Sequence, residues 1–105
     1  MKLRNLTKQD ALQLLSELRA MAALEPGPDP KHLARAKEIS FQLRGQEWAS
    51  LWMREKLDEL YRFLQTILSA RRWRDAPLSV ETMRSEIKGA CSRISKVFSA
   101  RKAQR

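Results

Sequence analysis

The residues best suited to chemistry lie near the end of the chain, where Arg84, Ser85, Lys88, Ser92, Ser95, Lys96 and Ser99 mix cations with hydroxyls. On a helix they share one arc, roughly 40° to 160° when Val80 is set at zero. Such an arc suits phosphate: Lys and Arg supply charge, while the short Ser side chains hydrogen-bond and let the backbone approach closely. Arg93 falls outside the arc, and Lys102 would extend the charge into the tail. A solvated polar face can have the same composition, with cations favoured near a helix C-terminus. The segregation of the charge, more than its amount, therefore points to an anion.

A second constellation is Arg71-Arg72-Trp73-Arg74. Its indole could stack on an unpaired base while the guanidinium groups hold phosphates, or it could close one end of a core. Trp48 and Trp52 stand one helical turn apart and form either a core corner or a contact surface for another chain, since Trp is enriched at interface centres. Phe41, near Lys37 and Arg44, allows base stacking or helix packing. His32 has no evident acid or nucleophile beside it and reads as structural. Cys91 falls on an apolar stripe, where a thiol behaves as a small hydrophobe. Glu47, Glu55, Asp58 and Glu59 suit local pairing with Arg54 and Arg62 better than an acid/base dyad.

With one Cys and one His the chain cannot assemble a Cys/His zinc cluster or an internal disulfide. It has three Gly residues and shows no phosphate loop, nucleophile elbow or nucleotide fingerprint. No enzyme, metal, cofactor or small-molecule substrate is expected, and no segment matches a family signature. The chain has 105 residues and a formal net charge of +9. Residues 71–105 hold ten basic and three acidic side chains, so +7 of that charge sits in the last third. This balance favours anionic partners. No apolar run approaches the ~20 residues that span a bilayer, and the start lacks a secretory apolar core. A cytoplasmic location without membrane contact is expected.

These residues need helices to position them. Period-two alternation is absent, and apolar residues recur every three or four positions, which predicts an all-α fold. Four helices are expected at about 8–24, 30–44, 47–72 and 80–101. Thr7 begins the first and Asp29-Pro30 the second, after a Pro-rich break. The third carries Met53, Leu57, Leu60, Leu64 and Ile67 in heptad-like spacing and has the widest apolar arc, which predicts a central place in a compact bundle. Ser79 caps the fourth, whose stripe is Val80, Met83, Ile87, Ala90, Cys91, Ile94, Val97 and Phe98. Residues 1–100 should form one domain and 101–105 a basic tail.

The expected function is a non-enzymatic module that binds DNA or RNA through the phosphate backbone, without strong sequence specificity, as an accessory subunit of a nucleoprotein complex. Four to six phosphate contacts would give a slope of about −4 to −5 in log K against log salt. The alternative is a protein-interaction adaptor or inhibitor, of the small phage or plasmid kind. It would use a basic face and the Trp48/Trp52 patch to hold an acidic protein. Self-association is compatible with either.

Overall fold

Each helix begins where a short polar side chain can satisfy its first amide groups. In the computed structural model, which describes the backbone of residues 2–101 and the side chains of 2–100, α1 spans Lys8–Met21. Thr7 Oγ1 accepts from the Asp10 amide at 3.0 Å, and Asp10 accepts from the Thr7 amide at 3.0 Å. This is a closed capping box. The helix ends at Met21 instead of residue 24, because the amides of Ala22, Ala23 and Leu24 bond three residues back, to Arg19, Ala20 and Met21. The last turn is thus wound more tightly than an α-helix.

Helix α2, Pro30–Arg44, has the expected bounds. Asp29 caps it through the His32 amide at 3.1 Å and also meets His32 Nδ1 at 2.8 Å. The connection before it is pinned to the far end of the third helix: Gly27 N–H donates to Ile67 O, and Asp29 N–H to Leu68 O. Gly27 has φ +143°, a conformation that L side chains rarely adopt.

Helix α3 is shorter than expected, Leu51–Ile67 instead of 47–72. Its start is set by Ser50, whose Oγ accepts from the Met53 amide at 3.2 Å. Its end is set by Ser69, which donates to Thr66 O at 2.6 Å and accepts from the Arg72 amide at 2.9 Å. A serine hydroxyl here takes backbone groups away from the α-helical ladder. Residues Arg72–Asp75 form a separate single turn, α4. Ser79 accepts from the Thr82 amide at 3.1 Å and opens α5, Val80–Arg101, as expected.

The principal packed pairs are α1 with α2, α2 with α3, α3 with α5, and α5 with α1, while α4 rests on α3. The long helices thus form a ring, up-down-up-down, with extents of 46 × 27 × 20 Å. Helix α3 lies between α2 and α5, which is what its wide apolar arc needs. The five α3 seam residues and Met83, Ile87, Ala90, Cys91 and Ile94 of the expected stripes are buried, and Leu15 and Leu18 of α1 and Ile39 and Leu43 of α2 complete the core. Val97 is 41% exposed and so stands outside the stripe on which it was placed. Among the described residues no helix is long and apolar enough to cross a membrane.

One element has no helical signature at all. Residues Lys2 to Leu6 run without regular structure beside the end of α2 and are held there by two buried glutamines. Gln42 accepts from Arg4 N–H at 2.8 Å and donates to Lys2 O at 2.6 Å; Gln46 donates to Arg4 O at 2.7 Å and accepts from Leu6 N–H at 3.4 Å. The side-chain amides act as the neighbouring strand the arm lacks, satisfying backbone groups that would otherwise have to turn to solvent. A Cβ at Gly45 would lie 2.6 Å from Leu3 Cδ1, so the glycine lets the arm approach.

Candidate nucleic-acid interface

Helices α1 and α5 run antiparallel. At one end of their seam Arg84 Nη2 donates to Leu24 O at 2.8 Å; toward the other the two helices part into a shallow, open groove of about 600 Å³. Its floor is Leu12, Leu15 and Cys91, the last two fully buried. Its rim is Ser16 and Arg19 from α1 and Ser92, Ser95, Lys96 and Ser99 from α5. Among the described residues no carboxylate lines it. Glu17, next to Ser16 in sequence, turns to α2 instead, where Arg35 Nε and Nη2 donate to its two oxygens at 2.6 and 3.0 Å. Among the described residues no ion pair engages Arg19, Lys88 or Lys96. Their charge is uncompensated, and the low-dielectric floor beneath the groove strengthens its effect on an anion at the rim.

The structure sorts the expected phosphate arc into three groups. Ser92, Ser95, Lys96 and Ser99 lie in the groove, and Lys88 is exposed one turn before Ser92. Ser85 is exposed nearer the start of α5 and outside the lining. Arg84 serves the fold: besides its bond to Leu24 O it meets Glu81 Oε1 at 3.2 Å, and its side chain is 23% exposed. It ties α5 to the connection after α1. Lys102 lies outside the described residues.

The Arg71 to Arg74 cluster is not an extension of the groove. Arg71, Arg72 and Arg74 are exposed on and just before α4, ahead of the start of α5. Lys96 is sixteen residues beyond Val80 on the same helix, roughly 24 Å along its axis. Trp73 is half-buried, and the Arg74 guanidinium sits over its ring, 5.0 Å from the centroid. A cation on that face takes the place a stacking base would need.

Trp48 and Trp52 do not form one patch. Trp48 stacks on Phe98, with centroids 4.4 Å apart and planes tilted by 41°, and it packs against the core. Trp52 is 36% exposed beside the more exposed Leu51 on the outer side of α3. Phe41 is exposed as well, while Arg44, its expected companion, pairs with Asp58 at 2.9 Å. His32 is part of the α2 cap. Burial pushes the Cys91 thiol up to about 12, so it stays protonated near neutral pH.

Sequence reasoning missed Ser16 and Arg19. Leu12, Ser16 and Arg19 are spaced four and three apart, beside the core stripe of α1. That signal becomes useful only once α1 is known to be the neighbour of the serine-rich side of α5. Comparison with known proteins finds no family model, no curated protein and no solved structure that the chain matches.

Proposed function

We propose that this protein is a small non-enzymatic helical module that binds nucleic acid through its phosphate backbone, as an accessory subunit of a larger nucleoprotein complex in the cytoplasm. The observation that carries this reading is the α1/α5 groove, where unpaired Arg19 and Lys96 face four serine hydroxyls with no carboxylate among them. Phosphate diesters carry the complementary charge and accept hydrogen bonds from such side chains. The groove lacks Asn and Gln, and its one Arg and one Lys do not amount to a base code, so binding is largely independent of sequence. A single buried thiol accords with a reducing compartment.

With Arg84 engaged and Arg71 to Arg74 at the opposite end, the groove and its approach offer three cations among the described residues: Arg19, Lys88 and Lys96. The salt dependence is therefore weaker than charge counting along the sequence suggests, with a slope of about −2 to −3 in log K against log salt. Titrating a fluorescent oligonucleotide at several salt concentrations tests this directly. Affinity independent of salt would rule out the mechanism. A second reading, a protein partner seated on Leu51 and Trp52, is favoured by the exposure of those two side chains. In that case Trp52→Ala would weaken partner binding and leave nucleic-acid affinity unchanged.

A further inference from the structure

We infer that the nucleic acid held in this groove is single-stranded, an inference that rests on the phosphate-binding reading above. The cations and hydroxyls converge into a concavity between two helices. A duplex is a convex rod with its bases stacked inside, and it meets proteins by admitting a helix or ribbon into its major groove. Both flanks of α5 are already packed, against α1 and against α3. Outside the groove, the outward strip of α5 sets Arg93 among Glu86, Gly89 and Ala100, a sparse contact for two phosphate rails. A rod resting on the rim would also leave half-buried Leu12 untouched.

One strand fits each of these features. Lys88 and Lys96 lie on one flank of α5, about 12 Å apart along its axis, with Arg19 across the groove. They form a single rail. An unpaired base has apolar faces to lay on Leu12 while its phosphates stay at the rim, a division of labour that a stacked duplex cannot offer. Basic grooves that track a backbone are the general solution for sequence-tolerant single-strand binding.

The test compares a labelled homothymidine strand with a mixed-sequence duplex of equal length, at one salt concentration, on the full chain. The variant Ser92→Leu/Ser95→Leu fills the groove without changing charge, and Ser99→Met does so from a more exposed position if the double variant loses helix by circular dichroism. The single strand should bind at least about tenfold tighter than the duplex, and groove filling should remove that advantage. Equal or tighter duplex binding overturns the single-strand inference and leaves phosphate binding standing, whereas a filled groove that binds the strand unchanged overturns the groove as the site and both readings with it. If neither polymer binds, both fall together.

Discussion

Helix α5 has two seams, and they are built differently. Toward α3 it closes: Met83, Ala90 and Ile94 are buried, and the end of the seam is covered by Trp48 stacked on Phe98. Toward α1 it also packs and is tied at one end by Arg84, but the outer edge of that seam opens into a groove with Leu12 on its floor and cations without ion pairs on its rim. Closing an apolar seam removes area from water and stabilises the fold at roughly 25 cal/mol per Å². Leaving the second seam open forgoes some of that and gathers like charge, which on stability grounds alone is unfavourable. Burial and charge are thus separated onto opposite flanks of one helix, and the flank that adds least to the core is the one that carries the cations without ion pairs.

The comparison can be broken first at the core. Ile87→Ala, at a fully buried position, should lower stability by about 2 to 4 kcal/mol in denaturant unfolding. Nucleic-acid affinity of the molecules that remain folded should not change; a parallel loss would mean that the two flanks are coupled. A smaller effect separates residues within the groove flank itself. Arg84→Met leaves Leu24 O without its partner and should cost about 1 to 2 kcal/mol of stability while affinity stays within twofold. Weakened binding with unchanged stability would return Arg84 to the phosphate surface.

The smallest effect lies on the other side of α1. The Arg35 hydrogen bonds hold the Glu17 carboxyl below its ordinary value of 4.5. A carboxyl depressed by folding adds stability above its unfolded pKa, and that contribution is lost as pH falls through the folded value. Because both side chains are 38% exposed, solvent screens the pair. Glu17→Gln should cost less than about 1 kcal/mol at neutral pH. The gap from the parent should close on acidification below 4.5, as followed by thermal melts. A gap that widens in acid would assign the pair the wrong sign.

Much of the scaffold was legible because it is periodic. The caps at Thr7, Asp29 and Ser79 and the stripe of α5 follow from spacing alone, and α5 begins where those signals place it. The limits of α3 were not legible, because Ser50 and Ser69 act through individual hydroxyl bonds that hydrophobic spacing does not register. The same holds for the arm at residues 2 to 6: its partners are Gln42 and Gln46, about forty positions away. Of the site, the α5 half was visible as a serine and lysine flank. The α1 half needed the ring order of the helices, and the separation of Arg71 to Arg74 from Lys96 needed the length of α5.

In the proposed mechanism, position on α5, and not total charge, governs binding. Lys96→Glu and Arg93→Glu make the same change in net charge, on one helix, at exposed positions three residues apart; Lys96 lines the groove, and Arg93 lies alongside Gly89, away from it. Measured side by side against one labelled oligonucleotide at low salt, Lys96→Glu should weaken binding by about tenfold or more, and Arg93→Glu by no more than about twofold. Equal losses in the two variants would contradict the account and reduce the groove to one part of an undirected basic surface.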